Sequence, residues 1–168
     1  MTLKKQCRTL YREAFGESPE FDNQLFDSFF ENAEMLKIDS AVAAMFFKIP
    51  CILKTNDKEI KAYYLYAVTT GKDYRHQGLM SKLFREKLCD GAFYFLKPSS
   101  EGVQKFYELQ GFKKIIGTIE DVYPKIEVSD SFKNLSALCD KPRGEYTLMI
   151  KSNLAEDIEK LSFKYTLE

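Results

Sequence analysis

The sequence carries no excess of either charge sign: Lys plus Arg and Asp plus Glu both number 25. No long-range field therefore draws the chain to nucleic acid or to an anionic membrane surface, and neither partner is expected. Any polyanion it binds has to be held by local geometry. There is one histidine, His76, and the four cysteines, Cys7, Cys51, Cys89 and Cys139, include no CxxC pair. A zinc site needs a close set of such ligands, so no metal is expected. Each cysteine reads instead as a small buried hydrophobe in a reducing cytoplasm, which is the expected location. Nowhere do about 18 apolar residues follow one another, and the basic opening MTLKKQCRTLYREAF leads into no apolar run of secretory length. Neither a membrane span nor export by an ordinary leader is expected. Internal repeats and low-complexity tracts are missing as well.

What is present suits one soluble domain spanning 1–168. Hydrophobic residues make up 45% of the 168 and aromatic residues 14%, enough for a sizeable core, with 30% charged residues for the surface. Leu3, Cys7, Leu10 and Ala14 recur at helical spacing with Thr2 as N-cap and Gly16 as stop. Ser18 and Pro19 then open a second helix with a Phe21, Leu25, Phe29 stripe. Residues 34–39 and 41–53 read as an antiparallel strand pair about Asp39-Ser40, and 60–71, IKAYYLYAVTTG, is the strongest strand, apolar enough for a central position. A helix over 77–89, a short strand AFYFLKP, a helix capped by Ser99 or Ser100 and ended by Gly111, and strands at 112–119 and 145–150 complete the pattern. The 120–144 connection is long enough to need structure of its own, and Phe132, Leu135 and Leu138 predict a short helix there. NLAEDIEKLSF, 153–163, is read as a terminal helix.

The junction DYRHQGLMSKLF, 73–84, is where chemistry is expected. A strong strand, a polar loop with Arg75 and Gly78, and then a helix make a phosphate site: unpaired amides at the helix start converge on an anion and the dipole favours it. Arg75 adds a forked cation suited to phosphate oxygens. Neither GxxxxGK[ST] nor GxGxxG is present, so this is no Walker or dinucleotide loop.

Together with a second segment, KFYELQGF, this loop resembles the two most diagnostic motifs of the GNAT superfamily of acyl-CoA-dependent N-acyltransferases. Arg75-His76-Gln77-Gly78-Leu79-Met80 matches the Arg/Gln-x-x-Gly-x-Gly/Ala pyrophosphate loop up to its last position, and Phe106-Tyr107-Glu108-Leu109-Gln110-Gly111-Phe112 matches Phe-Tyr-x-x-x-Gly-Phe in full. The stretch YLYAVTTGKDYRHQGLMSKL looks nearest to the enhanced-intracellular-survival type and its bacterial relatives, although the larger proteins of that type carry extra domains. The resemblance implies an α/β (α+β) GNAT-like fold, with a mixed, mostly antiparallel sheet splayed in the middle and helices on both faces. It implies acetyl transfer from acetyl-CoA, the cosubstrate, to a primary amine of a small molecule or peptide, by a monomer or homodimer. Cofactor contacts are implied for Val68, Thr69, Thr70, Arg75, His76, Gln77, Gly78, Leu79, Met80, Ser81 and Ser100. His76 is then a solvated loop residue on the phosphate side rather than a base.

In such a reading Val68 N–H faces the acetyl carbonyl, and an amide aimed at a developing oxyanion is a large part of acyl-transfer catalysis. Tyr107 stands at the general acid's place, and a phenol with an unperturbed pKa of about 10 holds a proton to give at neutral pH. No carboxylate lies within 61–71 to serve as base, and Tyr64 and Tyr66, on one face with Val68, could orient a water. Three departures stand out. Met80 replaces the usual Gly or Ala, Ser100 replaces a frequent Asn, and no first strand fits before Thr2. A non-catalytic GNAT-fold binding protein that retains coenzyme A is the alternative, and a nucleotide-phosphate enzyme, preferring ATP to coenzyme A, is a third.

Overall fold

Thr2 and Ser18 act as the sequence leads one to expect. In a computed structural model, which describes residues 1–89, 91–153 and 157–167, the Thr2 hydroxyl accepts from Lys5 N–H at the start of α1 (Leu3–Phe15) and Ser18 accepts from Phe21 N–H at the start of α2 (Pro19–Phe29). Gly16 ends α1 in the left-handed conformation. The chain forms two compact units, Met1–Ile49 with Leu65–Cys89, and Pro50–Tyr64 with Asp90–Glu168. Strands β2 (Ala41–Lys54) and β3 (Glu59–Thr70) each contribute residues to both.

In the first unit, β1 (Ala33–Ile38) pairs antiparallel with β2 from Ala33↔Phe47 to Ile38↔Ala41 and stands at the end of the strand order. Its register shifts between Leu36 and Lys37, the kind of irregularity that blunts an edge. Among the described residues no strand precedes α1. Successive side chains of a strand point to opposite faces, and Phe46 and Phe47 use this to hold helices on both. Phe47 meets Phe26 of α2 edge-on at 5.3 Å, and Phe46 meets Phe84 of α3 (Leu79–Lys87) at 5.3 Å. Both phenylalanines are fully buried, and truncating either to alanine is expected to cost about 3–5 kcal/mol. The carboxylate of Asp22, also buried, braces α2 to α1 by accepting from Arg12 Nε at 2.7 Å, with Arg8 Nε at 3.6 Å.

The second unit is a ring of pairings. Beyond the Thr55–Lys58 hairpin, β3 pairs in parallel with β4 (Phe93–Leu96) over Ala62–Tyr64, β4 pairs antiparallel with β7 (Glu145–Lys151), and β7 with β5 (Lys113–Thr118). Strand β8 (Lys160–Ser162) joins β5 in parallel, β6 (Lys125–Glu127) joins β8, and β6 pairs antiparallel with Ile52–Lys54 of β2, which closes the circuit. Aromatic rings fill its interior. Tyr64 stacks on Phe95 at 5.1 Å, Phe163 lies edge-on to both, and Phe132 of α5 (Asp130–Ser136) packs against Tyr64 and Phe163. The sheet is mixed, as expected, with parallel pairings at β3–β4, β5–β8 and β6–β8.

Three expectations change. The terminal helix is not formed where the chain is described: Lys160–Ser162 is a strand with Leu161 fully buried, and 154–156 lie outside the described residues. Pairing to β5 outweighs a weak local helix preference there. The 120–144 segment holds the expected short helix but also β6, whose three residues are too few for a periodic signal. Nor are all cysteines buried. Cys7 and Cys51 are, with thiol pKa values pushed up by burial to about 11 and about 12, whereas Cys89 is exposed and Cys139 partly so.

Candidate cofactor site

After β3 the chain makes a 3-10 turn, Lys72–Tyr74, anchored by Gly71 N–H donating to Ala43 O at 2.9 Å. Arg75, His76, Gln77 and Gly78 follow, all exposed. The backbone enters the left-handed region at His76 (φ 61) and again at Gly78 (φ 71). Glycine adopts that region freely and histidine at some cost, and such reversals turn neighbouring amides toward one concavity, a geometry that favours anions. Arg75 donates through Nε to Thr70 O at 3.3 Å and Gln77 through Nε2 to Asp73 O at 3.2 Å, so both side chains brace the loop from within.

Helix α3 starts at Gly78 with no side-chain cap and no acidic residue in its first turn. Its own ladder begins with Lys82 N–H donating to Gly78 O at 3.0 Å, so the amides of Leu79, Met80 and Ser81 lie ahead of it. A β-carbon at Gly78 would meet nothing within 4 Å. The start is open, rich in amides and at the positive end of the dipole. Met80, the residue out of pattern, is buried with Leu83 and Phe84, so its bulk leaves the loop and only its amide stays at the helix start.

Upstream, Ala67 has φ 54 inside β3. A non-glycine residue there stores strain of about 1–3 kcal/mol and breaks the strand's alternation, which re-aims the next amide, that of Val68. Val68 and Thr70 are half-buried and Thr69 is buried. Tyr66 is buried with its hydroxyl 3.1 Å from that of Tyr11, and Tyr64 is enclosed among Phe95, Phe132 and Phe163, so the expected pair of water-orienting phenols is instead core.

The second unit holds Tyr107 and Ser100. Ser100 is exposed and stands at the N-cap position of α4 (Glu101–Leu109), but its side chain makes no capping bond. Tyr107 is 7% exposed, between Phe106 at 5.4 Å and Phe112 at 5.8 Å. The helix ends in a Schellman arrangement: Phe112 N–H donates to Tyr107 O, Gly111 N–H to Glu108 O, Gly111 has φ 86, and the rings of Tyr107 and Phe112 make the accompanying apolar contact. The Lys151 ammonium adds a bond to Gln110 O at 2.7 Å, a cation at the negative end of the dipole. Aromatic, glycine and aromatic at this spacing thus have a structural reason of their own. Among the described residues no cluster of potential metal ligands occurs.

A family model described as an acetyltransferase (GNAT) domain matches residues 3–115. The chain belongs to the GNAT acetyltransferase family. Solved structures agree on the fold. An aminoglycoside 6'-N-acetyltransferase complexed with coenzyme A aligns at TM-score 0.58 and 12% identity over 93% of each chain. Arabidopsis thaliana Naa50, in complex with the bisubstrate analogue CoA-Ac-MVNAL, aligns at 0.52 and 15% over 88% of this chain and 91% of that one. Eis1 from Mycobacterium abscessus aligns at 0.51 and 10%, covering 64% of this chain and 30% of that one. Identities this low show the GNAT fold alone. The chain spans about a third of the length of four matched structures. No curated protein matches the sequence. Within this GNAT frame, sequence reasoning had missed the Ala67 reversal, whose only trace is an alanine among larger strand residues.

Proposed function

We propose that the whole chain, 1–168, works as a single N-acetyltransferase domain. It moves an acetyl group from acetyl-CoA to a primary amine of a small molecule or peptide by direct attack, without a covalent enzyme intermediate. The amine nitrogen bonds to the thioester carbon, the carbon–sulfur bond breaks, and the thiolate takes a proton from the Tyr107 phenol while the amine's proton leaves through water. Val68 N–H polarises the carbonyl. The amides of Gln77 to Ser81, with Arg75 and His76, hold the diphosphate, and Thr69, Thr70 and Ser100 border the rest of the cofactor. The observation that carries this reading is the open, uncapped, acid-free start of α3 behind Gly78. The four free thiols suit a reducing cytoplasm, and no described helix is long and apolar enough to cross a membrane. Kinship with the enhanced-intracellular-survival type rests on the stretch YLYAVTTGKDYRHQGLMSKL alone, and is the finer part of the proposal.

A second reading, a GNAT-fold protein that binds coenzyme A without turnover, draws on the burial of Tyr107 and its place in the helix end. One experiment separates the two. Calorimetry with coenzyme A tests the loop, and thiol release from acetyl-CoA against a panel of amines tests turnover. For an enzyme, Tyr107→Phe lowers kcat by roughly 100-fold or more while coenzyme A affinity is kept. A wild-type protein that binds coenzyme A and releases no thiol with any amine supports the second reading; one that binds no coenzyme A removes both.

A further inference from the structure

Helix α4 joins β4 to β5, yet these strands are not neighbours. Strand β7 lies between them, paired to β4 from Tyr94↔Lys151 to Leu96↔Met149 and to β5 from Lys113↔Ile150 to Thr118↔Glu145. The α4 connection therefore bridges a strand that enters the sheet from much later in the chain. Lys151, the last residue of β7, is where that strand meets the helix. Its ammonium donates to Gln110 O at 2.7 Å, lies 5.9 Å from the centre of the Phe112 ring and stands 3.6 Å from the place a β-carbon at Gly111 would take. One side chain thus reaches Gln110, Gly111 and Phe112, the residues that close the helix after Tyr107. All of them belong to the second unit.

The bonds from Phe112 N–H to Tyr107 O and from Gly111 N–H to Glu108 O shape the helix stop, but both run within it and leave its seat on the sheet unspecified. The seat is set from outside, by the chain running on into β5 and by Lys151 from the strand between. Lys151 is half-buried, so its charge-assisted bond meets reduced competition from water. Holding a long lysine side chain in one place costs rotamer freedom, and what it secures is backbone within a turn of Tyr107.

We infer that Lys151 is a positioning residue for acyl transfer: it fixes the end of α4 to β7 and thereby sets where the Tyr107 phenol stands. This rests on the reading of Tyr107 as the proton donor. A donor works only within hydrogen-bond reach of the atom it protonates, so a small displacement lowers the rate steeply. A residue that never touches the cofactor can in this way govern turnover and leave cofactor affinity alone.

The test is a double-mutant cycle between Tyr107→Phe and Lys151→Met, which keeps the apolar stem and removes the donor and the charge. It is read as kcat and KM for acetyl-CoA with an amine that supports thiol release. Lys151→Met should lower kcat by roughly ten- to a hundredfold with KM little changed, the size expected of a misplaced group. In the Tyr107→Phe background the same change should cost less than about threefold, because no phenol is left to misplace. Lys151→Arg, which keeps a charged donor, should recover most of the rate. Equal losses in both backgrounds, a change in KM alone, or no recovery in Lys151→Arg overturns the inference and leaves Lys151 as a helix cap. Should Lys151→Met not fold, Lys151→Gln, with a shorter neutral donor, carries the same cycle. A wild type that binds coenzyme A but releases no thiol with any amine removes the reading of Tyr107 as proton donor by itself. The clamp is then read by NMR of isotope-labelled tyrosine rings, with Tyr107 assigned by its loss in Tyr107→Phe. Its signal should move in Lys151→Met and return in Lys151→Arg; a signal that stays in place overturns the positioning separately.

Discussion

Among the described residues, the starts of five α-helices divide into two kinds. At α1, α2 and α5 the hydroxyl of Thr2, Ser18 or Ser129 accepts from an amide of the first turn, at 3.3, 3.2 and 3.2 Å. At α3 and α4 no side chain does so, although a serine stands at the N-cap of α4. These are the two helices that carry the GNAT motifs. A hydroxyl on one first-turn amide takes up one of the donors free at that helix start; a start left without one leaves them all to water or an anion. The contrast ties local capping chemistry to the family assignment without appeal to any bound molecule.

The strongest way to break the contrast is at Gly78. Gly78→Val places a β-branched side chain at φ 71, in open space but in a backbone region that costs an ordinary L-residue about 1–2 kcal/mol. The loop should leave that conformation, and coenzyme A affinity measured by calorimetry should fall by roughly tenfold or more, as a misplaced set of charge-assisted bonds implies. Retained affinity would move the anion site elsewhere. At the capped starts the expectation is reversed. Ser18→Ala and Ser129→Ala should each lower unfolding free energy in urea by about 1 kcal/mol, with coenzyme A affinity untouched. A loss of binding in either would show that capping and ligand binding are not separable here.

How far the sequence led depended on how local the physics is. Thr2, Ser18 and Gly16 act within a few residues, so α1 and α2 were legible with their caps, as were the α3 loop and the Gly111 helix end. Leu161 and Ile126 were not, because β8 and β6 exist through pairing with β5 and β2, residues far away in the chain. The site splits in the same way. Arg75 to Gly78 could be read as a loop, whereas Ala67 at φ 54 and Lys151 at the Gln110 carbonyl follow from how distant segments meet. Tyr107 is the instructive case: its motif was legible, but the sequence could not separate a proton donor from the aromatic partner of a helix stop.

The smallest expected effect is the sharpest, at Ser100. Its hydroxyl holds no capping bond, so Ser100→Ala should leave urea stability within about 0.5 kcal/mol of wild type, unlike the same change at Ser18. If Ser100 borders the cofactor, coenzyme A affinity should drop by a few-fold, the worth of one neutral hydrogen bond of about 1 kcal/mol. Loss of stability at Ser100 with unchanged affinity would make the α4 start structural after all. The uncapped pair would then shrink to α3, and the cofactor site would rest on the Gly78 loop and the strand that feeds it.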